Sequence, residues 1–324
     1  MKKRDEISKI TLPKYQLKLF GYDQYFNSFV KLFKKNKLPN TILLTGAKGL
    51  GKSTFAYHFI NYILSYKDIN KYSLENFTIH PENNSYKKLI QNIHPNFSLL
   101  ETEKSSDIIK IDSVRNTLKF INKSTYASNI KIILIDNVEY LNAHSSNALL
   151  KTLEDVDSNT YFFLIYNNLS KILSTIKSRC VEFKISFNTT DKKKILYNII
   201  NYNNYNFDTK SIDERFFIDT PGNLLDYFLI LENSNVNLSD DKKSIIFHLI
   251  DTYKQKNDNR ILNFISLLIE FFYNELSLRN SKNLNIYSNN KSLLLKKINE
   301  TKKFNLDKKN LIISLRDIIE NETR

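Results

Sequence analysis

The sequence predicts an α/β fold in its first half, a parallel sheet covered by helices on both faces, followed by a part that is helical throughout. Three observations carry that prediction. The window Gly46-Ala47-Lys48-Gly49-Leu50-Gly51-Lys52-Ser53 fits the phosphate-cradling pattern G-x-x-x-x-G-K-S/T in full. Near-continuous apolar runs of four or five residues, the mark of strands buried on both faces, alternate with segments of helical spacing. From Thr190 onward only the helical period recurs.

The first strand is Ile42-Leu43-Leu44, directly ahead of the glycine window. Behind the window Phe55, Ala56, Phe59, Ile60, Ile63 and Leu64 recur with helical spacing, so strand, loop and helix stand in the order a phosphate-binding loop needs. Glycines let consecutive N–H groups turn toward phosphate oxygens with no Cβ in the way, and the helix presents its positive end to the anion. Lys52 is expected to reach the β- and γ-phosphates and Ser53 to ligate Mg²⁺, with Gly46, Gly49, Gly51 and Thr54 completing the cradle.

The next stretch, Tyr66 to Asn92, is polar and weakly periodic and is read as an irregular insertion. Strands are then expected at Phe97-Ser98-Leu99-Leu100, Ile132-Ile133-Leu134-Ile135 and Tyr161-Phe162-Phe163-Leu164-Ile165. Between them, 112–122 places Val114, Leu118 and Ile121 on one helix face, and 142–153 does the same with Ala148, Leu149 and Leu153. Alternation of this kind builds a three-layer domain. Thr189 or Thr190 is expected to cap a helix through Ile200, and Pro221-Gly222 to start or break another. Asn233-Ser234-Asn235-Val236-Asn237 reads as a linker, after which Ser239 or Asp240 caps the next helix. Ile245, Ile246, Leu249 and Ile250, then Leu268, Phe271 and Phe272, then 293–298 and 311–319 continue the helical pattern.

Composition narrows the class. The chain has 324 residues with 41% hydrophobic and 25% charged, enough for two or three globular domains. The longest apolar stretch, Ile261 to Phe272, is interrupted by Asn263, Ser266 and Glu270, so no membrane span is expected. The charged start Met1-Lys2-Lys3-Arg4-Asp5-Glu6 has no apolar region behind it, which makes the cytoplasm the default location. A single cysteine, Cys180, excludes a disulfide framework and a multi-thiolate zinc site. His58, His80, His94, His144 and His248 show no paired ligand spacing, so no metal is expected beyond nucleotide-bound Mg²⁺. The net charge of +14 is compatible with polyanion contact, and equally with a Lys- and Asn-rich compositional bias.

Ile132-Ile133-Leu134-Ile135-Asp136 ends an apolar strand in a carboxylate, the form that sets an acid beside Mg²⁺ in P-loop sheets. Ser53 and Asp136 are therefore the expected metal ligands. Many ATPases follow this acid with a glutamate that polarises the attacking water; here the next residue is Asn137, and an amide is no general base near neutral pH. Glu139, two residues along a turn, is expected to point elsewhere. ATP or ADP with Mg²⁺ is thus expected to bind better than it is hydrolysed.

The stretch Ser145-Ser146-Asn147-Ala148-Leu149-Leu150-Lys151-Thr152-Leu153-Glu154, followed by Thr175-Ile176-Lys177-Ser178-Arg179-Cys180, resembles the clamp-loader branch of AAA+ proteins. Ser-Arg-Cys is the most specific part. With the Gly46 loop, Asp136 and His94-Pro95-Asn96-Phe97-Ser98-Leu99-Leu100-Glu101, the resemblance covers Leu38 to Ile185; the helical remainder matches in length and class only. It implies a P-loop AAA+ domain over 1–185, a small helical lid over 186–235 and an all-α C-terminal collar over 236–324.

In that family the Ser-Arg-Cys arginine reaches ATP on a neighbouring motor subunit, so the resemblance implies that Arg179 is a trans arginine finger. The family's sensor-1 threonine falls on Asn167, whose amide is able to bond a γ-phosphate or water. Thr220-Pro221-Gly222-Asn223 resembles the lid segment, with Asn223 where relatives often carry arginine. Motor subunits have Asp-Glu where this chain has Asp136-Asn137. The four-cysteine zinc module of many relatives has no counterpart in 66–92, and Glu154-Asp155-Val156-Asp157 departs from the usual Glu-Glu-Pro-Pro.

The resemblance implies a largely non-hydrolysing stator in a heteropentameric clamp loader of bacterial DNA polymerase III. Its partners would be motor subunits and a delta subunit, with the sliding clamp and primed DNA met through the assembly and no membrane involved. The alternative is a working AAA+ ATPase, a motor subunit or another remodelling factor, which the intact loop favours and Asn137 opposes. A P-loop kinase would need an arginine-rich lid, and Arg215, Arg260 and Arg279 form no recognisable cluster.

Overall fold

A computed structural model describes residues 10–102, 108–122, 130–205, 207, 212–232, 236, 240–304 and 306–322 of the chain. They divide into two compact units, one of Thr11–Asn204 with Phe217–Asn223, the other of Tyr205–Phe216 with Leu224–Arg324 and Ile10. Within the described part of 186–235, residues 186–204 and 217–223 group with the sheet, and 212–216 and 224–232 with the C-terminal helices. The expected linker residues 233–235 and 237, the cap Ser239 and the charged N-terminus lie outside the described residues.

The first unit is built from α1 (Asp23–Lys34), β1 (Thr41–Thr45), α2 (Lys52–Leu64), α3 (Asn84–Ile90), β2 (Phe97–Leu100), α4 (Ile111–Ile121), β3 (Lys131–Ile135), α5 (Ala143–Glu154), β4 (Thr160–Tyr166), α6 (Ser174–Lys177), β5 (Val181–Lys184) and α7 (Thr189–Tyr202). Among the described residues the strands form one sheet in the order β2-β3-β4-β1-β5, every pair parallel. Parallel neighbours require crossovers, which the helices supply on both faces.

Period-two alternation sorts the strand residues between two cores. Ile42, Leu44, Ile132, Leu134, Phe163 and Ile165 pack with Phe26 and Phe29 of α1 and Phe55 and Phe59 of α2. Leu43, Ile133, Ile135, Phe162 and Leu164 pack with Val114 of α4 and Leu149 and Leu153 of α5. All four apolar runs are strands. The fifth strand, β5, has no such run: Val181 is 47% exposed, and the order Val, Glu, Phe, Lys buries less.

The stretch 66–92 is not irregular throughout. Tyr72 is buried and stacks on Phe26 with centroids 5.0 Å apart, Ser73 and Thr78 bond each other's backbones at 3.0 and 3.2 Å, and α3 forms at the end. Asn83 caps α3 by accepting from the N–H of Tyr86 at 2.6 Å and also accepts from the Asn61 amide at 3.0 Å. Order here comes from polar side chains bonding distant backbone, which leaves no hydrophobic period to read.

Two expected caps move by one or two residues. Asn188, not Thr189 or Thr190, accepts from the N–H of Asp191 at 2.8 Å to start α7. Asp241, not Asp240, accepts from Ser244 at 3.3 Å to start α9 (Lys242–Lys256), which follows α8 (Pro221–Glu232).

In the second unit α9 is followed by α10 (Asn259–Arg279), α11 (Leu284–Phe304) and α12 (Lys308–Asn321). α10 is long and apolar enough, by length and composition alone, to cross a membrane. Its apolar residues Ile261, Leu262, Phe264, Ile265, Leu268 and Ile269 are instead wholly buried among its neighbours, as in a core helix. Arg260 is tied to Asp226 at 2.9 Å and Asp258 at 2.7 Å, and Arg215 to Glu275 at 2.8 Å. Both arginines thus serve local ion pairs rather than a phosphate-gripping cluster.

Candidate nucleotide site

The site forms where β1, β4 and β3 end, the edge at which open parallel sheets accept ligands. After β1 the chain turns through Gly46, Gly49 and Gly51, at φ of 152°, 86° and 86°. A side chain at Gly49 would be strained at φ 86° and would bring a Cβ within 2.2 Å of Oγ1 of Thr220, which would have to shift. Three consecutive loop carbonyls are held from outside. The Thr220 hydroxyl donates to the Lys48 oxygen, the Gly222 N–H to that of Gly49 and the Tyr22 hydroxyl to that of Leu50, each at 2.9 Å. The lid segment Thr220-Pro221-Gly222-Asn223 is therefore part of the loop's support, while Asn223 turns its amide to Asp219 at 2.8 Å.

Lys52 opens α2 and is 2% exposed, its ammonium donating to the Gly46 and Ala47 oxygens at 2.8 and 2.7 Å. Burial lowers its pKa to about 8, against the pull of the Glu139 and Asp136 carboxylates. Ser53 donates its hydroxyl to Oδ1 of Asp136 at 2.8 Å, so the two expected metal ligands already meet. Burial raises the carboxyl of Asp136, and the Ser53 hydrogen bond and Lys52 oppose that rise. Thr54 sits beside them in the first turn of α2, whose N–H groups have no partners within the helix.

Asn137 follows Asp136 in the left-handed region at φ 63°, a conformation Asn tolerates well, and the chain enters a 3-10 turn, Val138–Tyr140. That turn overturns the expectation for Glu139. Its side chain is directed inward, 9% exposed, with Oε1 accepting from the N–H of Asn167 at 3.1 Å. The Asn167 side-chain amide in turn donates to Oδ1 of Asn137. The reason is local: a left-handed residue reverses the course of the chain, so two residues on does not mean the opposite side. Position 137 was the available signal for Glu139. Tyr22 and the lid contacts carry no local signal.

The residues fit a nucleotide polyphosphate. Positive-φ glycines, a buried ammonium, a helix N-terminus and a paired serine and aspartate would hold phosphate and Mg²⁺.

Arg179 is the one expected site residue the fold does not bring here. Its backbone oxygen accepts from the Thr41 hydroxyl at 2.7 Å, and Ile42 pairs with Val181. Arg179 therefore stands at the start of the strands whose far ends carry the loop.

A phosphate-binding loop closing β1, an acid closing β3, a polar residue closing β4 between them and the order β2-β3-β4-β1-β5 define a P-loop domain of the AAA+ type. A family model described as DNA polymerase III, delta subunit, matches residues 21–189, and the chain belongs to that family. DNA polymerase III subunit delta' of Pseudomonas aeruginosa is 31% identical over 140 residues, 43% of this chain and 41% of that protein. DNA polymerase III subunit gamma of Buchnera aphidicola subsp. Schizaphis graminum is 29% identical over 231 residues, 68% of this chain and 60% of that protein. The match thus spans about two fifths to three fifths of these relatives' lengths. A solved gamma subunit-related protein of Thermotoga maritima is 16% identical with a TM-score of 0.43, covering 91% of this chain and 98% of that one, too loose a likeness to add to the argument.

Proposed function

We propose that this chain is a delta-prime-type stator of a DNA polymerase III clamp loader. It would hold ATP or ADP with Mg²⁺ in its own loop and present Arg179 to a nucleotide on a neighbouring motor subunit. The assembly, with a delta subunit as a further member, would open the sliding clamp and place it on primed DNA. The metal, held by Ser53 and Asp136, would neutralise phosphate charge. Lys52 and the first turn of α2 would hold the phosphates.

The placement of Arg179 carries this reading. Six residues of strand direction, roughly 20 Å at about 3.3 Å each, separate it from its own loop, which supports a role toward a nucleotide on another subunit. The test is ATP turnover by the cognate motor subunits as this chain is titrated in. Stimulation should be lost with Arg179→Ala, since arginine fingers elsewhere supply ~10³–10⁵ in rate. Unchanged stimulation would sink the assignment. Absence of any calorimetric signal with millimolar nucleotide would defeat the occupancy of the loop.

A second reading, a working motor ATPase, is favoured by the complete loop and by the longer stretch shared with a gamma subunit. Its mark would be fast turnover by the isolated chain, abolished by Lys52→Ala.

A further inference from the structure

The bonds that the Thr220 hydroxyl, the Gly222 N–H and the Tyr22 hydroxyl make to the oxygens of Lys48, Gly49 and Leu50 fix three successive peptides of the loop. A planar trans peptide points its N–H opposite to its carbonyl, so each bond also aims the N–H of the following residue away from the group that makes it. The N–H groups so aimed belong to Gly49, Leu50 and Gly51, and none of them donates to another group among the described residues. Gly49 and Gly51, both at φ 86°, flank Leu50 at negative φ. Alternation of φ sign makes successive N–H groups converge, as in anion-binding nests. Of the three anchors Tyr22 is set deepest in the core. It is 2% exposed, its ring stacks on Phe55 with centroids 5.0 Å apart, and Phe187 meets it edge-on at 5.2 Å. A rigid group of the core thus reaches the loop through one hydroxyl.

We propose that Tyr22 is a positioning residue for polyphosphate: its hydroxyl fixes the Leu50-Gly51 peptide so that the Gly51 N–H is presented to a phosphate oxygen before one arrives. Thr220 does the same for the Lys48-Gly49 peptide. The inference rests on reading this loop as a nucleotide site. A loop with glycines at 46, 49 and 51 has more backbone freedom to lose than any other composition, and binding bears that loss unless the folded chain has already taken it. Anchors that act on the carbonyls do this without occupying the N–H groups, which stay available to the ligand.

Tyr22→Phe keeps the ring and its stacking and removes only the hydroxyl. Leu50-Gly51 is the sole Leu-Gly pair in the sequence and Lys48-Gly49 the sole Lys-Gly pair, so carbonyl-¹³C leucine or lysine with ¹⁵N glycine isolates each amide by NMR in the full chain. Calorimetry measures ADP and pyrophosphate, each with Mg²⁺. Tyr22→Phe should bind ADP about three- to tenfold more weakly, the range of one neutral hydrogen bond, and pyrophosphate by the same factor, since the contact is to phosphate. The Gly51 amide signal of the empty variant should be displaced or broadened, and should return to its wild-type position with ADP bound. Thr220→Val should behave alike at the Gly49 signal, and replaces Tyr22→Phe if that variant does not fold. Wild-type affinity in the variants, or weaker binding with an unmoved amide signal in the empty chain, overturns the proposal. Weaker binding of ADP alone also overturns it, by placing the effect on the nucleoside. A wild-type chain that binds neither ligand removes the nucleotide site itself, and the proposal with it.

Discussion

The guanidinium of Arg179 is already engaged within its own chain, Nε donating to Oε1 of Glu154 at 2.8 Å and Nη1 to the Thr175 oxygen at 2.9 Å. The end of α5 and the turn of α6 therefore orient the residue before any partner meets it. A planar guanidinium holds both bonds in one fixed fork, a geometry that an ammonium on a flexible stem does not reproduce. Arg179→Lys should lose the stimulation of a neighbour's ATP turnover nearly as fully as Arg179→Ala. Stability should change by less than about 1 kcal/mol, because the pair is partly exposed. Titration of motor-subunit turnover and urea unfolding read the two effects separately.

Nucleotide binding at the proposed site should depend on pH through Lys52. Burial brings its pKa to about 8 in the free chain, and a phosphate beside it raises it again, so the complex holds more protons than the free protein above that value. Affinity should be full below pH 8 and fall as pH rises through it, approaching about tenfold per unit. Calorimetry at pH 7, 8 and 9 measures this. A flat profile would show that the ammonium is not a phosphate contact.

His58 makes the first unit acid-sensitive. A carbonyl accepts only, so Nε2 donates to the Gln16 oxygen at 3.1 Å and Nδ1 accepts from the Tyr72 hydroxyl at 3.0 Å, which fixes the neutral ring. Burial lowers its pKa to about 3, while the unfolded chain protonates it near 6.5. Its contribution is constant above pH 6.5 and is lost as pH falls from 6.5 toward 3, at about 1.4 kcal/mol per unit. Urea unfolding between pH 7 and 4 should show a slope shallower by about one proton in His58→Gln.

Gly222 is held by a close approach rather than by its φ. A Cβ there would lie 2.7 Å from the Gly49 oxygen and 2.9 Å from the Gly49 Cα, both backbone. Alanine gains up to about 1 kcal/mol of helix propensity in α8, but overpacking against backbone costs ~1–3 kcal/mol, and the clash wins. Gly222→Ala should lower the thermal midpoint and weaken nucleotide binding by displacing the loop from its support. A midpoint at or above wild type would show that the lid segment yields freely.

The sequence by itself determined the glycine loop, the four buried strands, the helices between them and the family, because each is written in neighbouring residues or in a short period. Ile132 to Asp136 announces both its strand and the acid that ends it. Only the tertiary structure decided that β4 lies between β3 and β1, which sets Asn167 against Asn137 and Glu139. It also decided that Thr220 and Gly222 return to carbonyls some 170 residues earlier and that Tyr72 and Asn83 order the insertion. A hydrophobic period tells which face is buried but not against what. These contacts are hydrogen bonds between residues distant in the chain, whose partners exist only once the sheet has formed.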